Sequence, residues 1–299
     1  MEMSMGRSGK NINEYKALNE YRTHNEYKTL MQIKDLHFSY TEGEEILKGL
    51  NFALDERTTA IIGQNGAGKT TFVKLLKGLL RPTEGAVEFD GKDIRDMTVA
   101  QLARHIGMVF QNPNDQIFKN RVLDEVMFGP LKIGMGEAAA REKSLEALEL
   151  VGLSGHEDKN PYDLGLSSRK LVAIASIVAM SPKVIIFDEP TIAQDYYGKE
   201  RIKSVIRKLR SEGVTVITII HDMDFVADVF ERVIVFAKGG VLLDGSAKEV
   251  FADEAILKEA YLEQPNVTRL CQSLGYEEVF LNTGEFVAYQ REKQNLITN

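Results

Sequence analysis

The sequence has no tryptophan and a single cysteine, Cys271, so no internal disulfide can form, and this sparing use of thiols fits a reducing compartment. Cys271 itself reads as a small buried apolar residue on a helix. Nowhere does the chain approach the run of about 20 apolar residues that spans a bilayer. Its longest apolar stretch, Leu171 to Met180, stops at Ser181-Pro182 and reads as a buried helix. The N-terminus lacks a basic-then-apolar leader, which predicts a chain that is not secreted. If it works at a membrane, another chain must hold it there. Positive charge is also short, with 37 Lys and Arg against 44 Asp and Glu and a net charge of -7. Sequence-blind nucleic-acid binding needs a basic surface to neutralise phosphates, so nucleic acid is not an expected partner, although a local basic patch stays open.

What is present is an ordinary globular balance, 43% hydrophobic and 27% charged over 299 residues, enough for one large domain or two small ones. The first thirty residues stand apart. Asn13-Glu14-Tyr15-Lys16, Asn19-Glu20-Tyr21-Arg22 and Asn25-Glu26-Tyr27-Lys28 repeat too briefly to build a solenoid. Residues 1–30 are therefore read as a polar, mobile tail.

From Met31 onward, Gln32 to Tyr40, Leu50 to Asp55, Thr58 to Ile62, Ala86 to Phe89 and Ile106 to Phe110 read as strands, with a helix over Thr70 to Leu80. Helical spacing then dominates at Val122 to Phe128, Gly136 to Val151 and Arg169 to Met180. Strands return at Val184 to Phe187, Val214 to Ile219, Val233 to Phe236 and Val241 to Leu243, with a helix over Lys199 to Arg210. Near-continuous apolar strands alternating with helices predict a buried parallel sheet. The division that follows is an α/β domain over 31–251, a helical insertion at about 112–180, and a C-terminal extension over 252–299. The extension is expected to hold further helices, a hairpin around Asn282-Thr283-Gly284, and a dimer contact.

Three segments carry chemistry. Gly63-Gln64-Asn65-Gly66-Ala67-Gly68-Lys69-Thr70 matches the P-loop pattern, and it follows a strand and opens a helix as that motif requires. Backbone N–H groups of such a loop turn inward around phosphates, Lys69 reaches the β- and γ-phosphates, and the Thr70 hydroxyl ligates Mg²⁺. Thr71, the next residue, belongs to the same candidate nucleotide site. Asp188 and Glu189 end the apolar strand Val184-Ile185-Ile186-Phe187; alone they would read as a solvated strand end, but beside a P-loop they can hold a metal and polarise water. His221 ends another apolar strand, where such sheets line their ligand crevice.

In order and spacing these segments resemble the nucleotide-binding subunits of ABC transporters over about Met31 to Phe251. The resemblance implies a P-loop α/β core with an antiparallel β subdomain and an inserted helical subdomain. It also implies Mg²⁺ with ATP as substrate. Tyr40 takes the place of the aromatic that stacks on adenine, Gly63 to Thr70 the Walker A segment, and Gln111 the Q-loop glutamine that meets the metal and the membrane partner. Asp188 and Glu189 are the Walker B pair, with Asp188 on the metal and Glu189 catalytic. Asp195 is the D-loop aspartate and His221 the switch histidine.

One motif departs from the pattern. Where Leu-Ser-Gly-Gly-Gln is expected, the chain reads Leu164-Gly165-Leu166-Ser167-Ser168. Gly165 lacks the serine hydroxyl, and Leu166 puts a branched side chain where backbone must approach phosphate closely. Gln194 and Tyr196 also stand where leucine and proline are usual. The site that uses this signature is expected to be weak, which favours a heterodimer with a related ATPase over a homodimer with two slow sites. Val109 to Phe118, Phe128-Gly129-Pro130 and Pro265 to Leu270 resemble the ATPases of energy-coupling factor (ECF) and cobalt/nickel importers. That resemblance implies an integral membrane transport subunit as partner and a place on the cytoplasmic face of the cell membrane. Two other readings stay open: a soluble non-transport ABC ATPase, and a largely non-hydrolysing structural or regulatory subunit.

Overall fold

The computed structural model describes residues 27–297, so residues 1–26 of the repeat-bearing tail lie outside the described residues. An antiparallel sheet comes first. Strands β1 (Thr29–Ser39), β2 (Glu45–Asp55), β4 (Glu84–Phe89) and β5 (Lys92–Asp93) lie in the order β2-β1-β4-β5. The larger sheet has the order β10-β9-β3-β8-β7-β6, formed by β3 (Thr59–Ile62), β6 (Ile106–Val109), β7 (Val184–Asp188), β8 (Thr215–Ile219), β9 (Arg232–Ala237) and β10 (Gly240–Ser246). Its pairs are parallel from β9 to β6, with β10 antiparallel at the edge.

Both faces of this sheet are covered, which is why its strands read as unbroken apolar runs. Along β7, Val184 and Ile186 enter one core with the antiparallel sheet and helix α1 (Lys69–Leu76). Ile185 and Phe187 enter a second core on the opposite face. That second core takes in α3 (Val122–Lys132), α4 (Glu137–Leu150) and α5 (Leu166–Val178), which lie between the paired strands β6 and β7 as the expected insertion. It also takes in α6 (Tyr196–Ser211), α7 (Met223–Val229), α8 (Ala247–Ala252) and α9 (Glu254–Glu259).

Several boundaries differ from the expected ones for local reasons. α1 stops at Leu76 rather than Leu80 because Gly78 turns left-handed (φ 70), where an added Cβ would meet Leu102 at 2.7 Å. α5 and α6 each begin three residues before the expected start, with Gly165 and Asp195 at their N-caps. Two short helices give no readable period, α2 (Val99–His105), opened by a Thr98/Gln101 capping box, and α7, opened by an Asp222 N-cap. The hairpin expected around Asn282-Thr283-Gly284 is instead the start of α11 (Thr283–Ile297). The Asn282 carboxamide accepts the Glu285 N–H at 3.0 Å and Glu285 accepts the Leu281 N–H at 3.2 Å, so a turn-like tripeptide opens a helix. Helix α10 (Asn266–Ser273) buries Cys271, as expected for an apolar residue there. The extension is fastened next to α7, with the Asn266 N–H donating to Asp224 at 2.8 Å.

One buried cation ties both sheets together. Arg232, 1% exposed at the start of β9, donates to Asp244 on β10 at 2.7 Å and to Asp55 on β2 at 3.2 Å. Burial works to raise the Asp55 pKa, but hydrogen bonds from Arg57 and the charge of Arg232 outweigh it and hold the carboxyl below its usual 3.8. Arg232→Met leaves these carboxylates buried with less opposing charge, and the expected loss is about 3–5 kcal/mol. Because the folded Asp55 pKa is lowered, its contribution is complete above 3.8 and is lost as pH falls through the folded value. Urea unfolding at pH 7 and at acid pH should show the parent losing more between the two than Arg232→Met does; equal losses would remove this role.

Candidate active site

The loop Gly63–Gly68 runs from the end of β3 into α1. Only glycine fits at 63, where φ is 149 and a Cβ would stand 2.2 Å from the Phe236 carbonyl oxygen on β9. Gly68 is the N-cap of α1 and contributes no side-chain hydrogen bond, so no side chain competes with an anion for the first N–H groups. Lys69 is 6% exposed, and its ammonium donates to the carbonyls of Gly63 at 2.6 Å and Gln64 at 2.9 Å. Burial pushes its pKa down, opposed by the charges of Glu189 and Asp188. Gln64 is half-buried, Asn65, Gly66 and Thr70 are exposed, and Ala67 and Thr71 are buried. The Tyr40 hydroxyl lies 3.3 Å from the Thr71 hydroxyl, with its ring exposed and edge-on to Phe38.

The two carboxylates sit at the end of β7, each residue 5% exposed. Glu189 is left-handed at φ 50, and its N–H donates to the Ile219 carbonyl of β8 at 3.0 Å. This strained turn swings its carboxylate to the His221 ring, with Oε1 3.0 Å from Nε2. Burial pushes Glu189 up to about 7, against the charge of Lys69, with Asp188 adding to the rise. Burial also raises Asp188, against Lys170, Lys74 and Lys69. His221 is lowered by burial and by the charge of Lys69. Asp188 Oδ1 and Glu189 Oε2 are buried without a hydrogen-bond partner. Buried carboxylate oxygens left open in this way suit a hard divalent cation, which takes oxygen ligands.

The structure thus gathers Lys69, Asp188, Glu189 and His221 at one end of the sheet. Gln111 follows β6 with an exposed side chain, and it is the backbone there that is gripped. Lys170 on α5, 2% exposed, donates to the carbonyls of Phe110 (3.1 Å) and Gln111. Burial pushes Lys170 down to about 8, against the charges of Asp188 and Glu189. Gln116 completes the grip, accepting the Phe110 N–H at 3.1 Å and donating to the Ala173 carbonyl at 2.8 Å. Sequence reasoning passed over Lys170; the signal was a lysine at the head of the longest apolar run, a position that buries its neighbours.

Gly165, Leu166, Ser167 and Ser168 lie in a different setting. Gly165 caps α5, Leu166 opens it with its side chain exposed, and Ser167 and Ser168 are half-buried in the first turn. Ser167 donates to Gln194 at 2.9 Å, while Asp195 accepts the Gly198 N–H at 2.7 Å as the cap of α6.

The glycine at 63 gives the sharpest test of this geometry. Gly63→Ala forces a methyl into the Phe236 carbonyl, and ATP binding measured by calorimetry is expected to weaken at least about tenfold. Unchanged affinity would contradict the tight packing of the loop on β9.

A family model for ABC transporters matches residues 47–192. The energy-coupling factor transporter ATP-binding protein EcfA of Methanocaldococcus jannaschii is 38% identical over 252 residues, which cover 83% of this chain and 90% of that protein. Among solved structures, cbiO1 from Clostridium perfringens, part of the ABC transporter complex cbiONQ, superposes with a TM-score of 0.71 at 34% identity, covering 83% of this chain and all of that one. A dimeric ATP-binding cassette in a post-hydrolysis state, bound to ADP and Pi, gives 0.67 at 28% identity over 73% of this chain and 99% of its own. With a relative at this identity matched over nine-tenths of its length, and with a P-loop, buried carboxylate pair and histidine at one sheet end, the chain belongs to the ABC transporter ATP-binding family, whose members hydrolyse ATP.

Proposed function

We propose that this chain is the ATP-hydrolysing motor of a membrane import system of the ECF type, for a vitamin or for cobalt or nickel, and that it works beside a second, related ATPase. The observation that carries the reading is the group of Lys69, Asp188, Glu189 and His221 at one sheet end, taken together with the sequence Leu164-Gly165-Leu166-Ser167-Ser168 where a signature turn is expected. The chain's own half of a site is complete, while the half it lends to a partner is changed. Among the described residues no helix is long and apolar enough to cross a membrane, so the import reading requires an integral membrane subunit.

A face for that subunit is supported beyond Gln111. Phe118 and Phe128 meet edge to face at 4.8 Å, Phe118 and Leu131 are exposed, and Lys119 and Lys132 lie over the rings. An apolar centre with a basic rim suits a short helix of a membrane protein. On the extension, the exposed Tyr261, Leu270 and Leu274 support a contact with the partner ATPase.

In the proposed mechanism, Tyr40 stacks on adenine and the backbone of residues 63–71 with the Lys69 ammonium holds the β- and γ-phosphates. Asp188, Thr70 and Gln111 would hold Mg²⁺, which when bound neutralises charge on the phosphate oxygens. Water attacks the γ-phosphorus in line with the leaving ADP oxygen, and its proton passes to Glu189. His221 orients Glu189 through the 3.0 Å contact and faces the γ-phosphate. The half-site of the opposite subunit is closed by Gly165 to Ser168 and Asp195.

Two substitutions separate binding from chemistry. Lys69→Ala is expected to weaken ATP binding at least about tenfold, through loss of the charge on the phosphates. Glu189→Gln should bind ATP as the parent does and hydrolyse it at least about 100-fold more slowly. Calorimetry and phosphate release in the assembled complex measure both, and normal turnover by Glu189→Gln would overturn these roles for Glu189 and His221.

A further inference from the structure

The loop from Glu189 to Asp195 leaves the catalytic end of β7 and ends at the cap of α6. Two of its residues, Glu189 (φ 50) and Ala193 (φ 60), hold left-handed backbone without being glycine. Such conformations persist only where the surroundings impose them. Within the loop, the Gln194 N–H donates to the Thr191 carbonyl at 3.2 Å. The Gln194 side chain lies over Gly198, where a Cβ would stand 2.2 Å from its Oε1. Any other residue at 198 would push that carboxamide away.

On its other side the same carboxamide reaches α5. Ser167 Oγ donates to Gln194 Oε1 at 2.9 Å, and Gln194 Nε2 approaches the Ser167 carbonyl at 3.5 Å. The two residues are 27 positions apart in the chain. A leucine at 194 could not accept this bond and a glycine at 167 could not donate it, so the contact depends on a hydroxyl at 167 and a side-chain acceptor at 194.

We infer that Gln194 is a positioning residue that fastens the first turn of α5 to the loop leaving Glu189. The turn this chain lends to a partner's nucleotide and the chain's own catalytic carboxylate then shift together. The inference rests on the reading of the chain as half of a composite, two-subunit ATP site. Through this pair a change at one ATP is passed to the other within a single chain, and the altered turn keeps a fixed orientation despite its composition.

The test uses the full chain in its assembled ATPase, with Gln194→Leu, Ser167→Ala, the double variant and Gln194→Glu, which keeps an oxygen to accept the Ser167 hydroxyl. Both side chains are half-buried, so melting temperatures should stay within about 2 °C of the parent. Each single variant is expected to lower kcat about fivefold, the scale of one neutral hydrogen bond, with KM for ATP unchanged. The double variant should be no slower than either single one, and Gln194→Glu should stay within about twofold of the parent. Losses that multiply in the double variant, single variants at the parent rate, or an equal loss in Gln194→Glu would overturn the role of the pair. ATP-dependent association of the Glu189→Gln chain, followed by gel filtration, separates the two levels. If it associates with no second cassette, the composite-site reading fails and this inference with it. If it associates while the losses multiply, the Gln194 role alone fails.

Discussion

Two carboxylates buried side by side at the end of β7 set the terms for the rest of the molecule. Burial raises both Asp188 and Glu189, and one oxygen of each is left without a partner. An arrangement of this kind is costly unless positive charge is close. Lys69 and Lys170 supply it, one from the first turn of α1 and one from α5. Both lysines are themselves buried and lowered. The site is therefore a balance of buried charges, open to a cation and a phosphate chain, and the sheet order that places β3 and β8 between β9 and β7 is what brings its parts together.

The same balance gives α5 a mechanical role. Lys170 holds the carbonyls of the segment after β6 while lying in the field of the two carboxylates. Gln116 and Ser176 extend that hold along the helix, and Arg169 reaches Asn114 at 2.6 Å. The segment over residues 110–118 is thus tied to α5 by hydrogen bonds, and it ends in the exposed Phe118. These contacts join the nucleotide end of the sheet to the face where a membrane subunit is proposed to sit.

Much of this was legible in the sequence because the sheet is covered on both faces. Val184 to Phe187 and Val233 to Phe236 could read as unbroken apolar runs only in such a sheet, and the P-loop declared itself by glycine spacing between a strand and a helix. The starts of α5 and α6 were not legible: Gly165 caps α5 with no side-chain hydrogen bond, and the carboxylate of Asp195 caps α6 before three residues, Tyr196 to Gly198, that carry no helical period. Nor was Asn282 as a helix cap, because Asn-Thr-Gly is equally good turn chemistry. The burial of Arg232 and the meeting of Ser167 with Gln194 depend on residues distant in sequence, so no local pattern announces them.

The central claim is a motor that drives a membrane subunit together with an unlike ATPase. Affinity capture of the full chain from detergent-solubilised native membranes, with partners identified by mass spectrometry, tests it most directly. The predicted result is recovery of one integral membrane protein and a second ABC ATPase of different sequence. Recovery of the chain alone, or with soluble partners only, would contradict it.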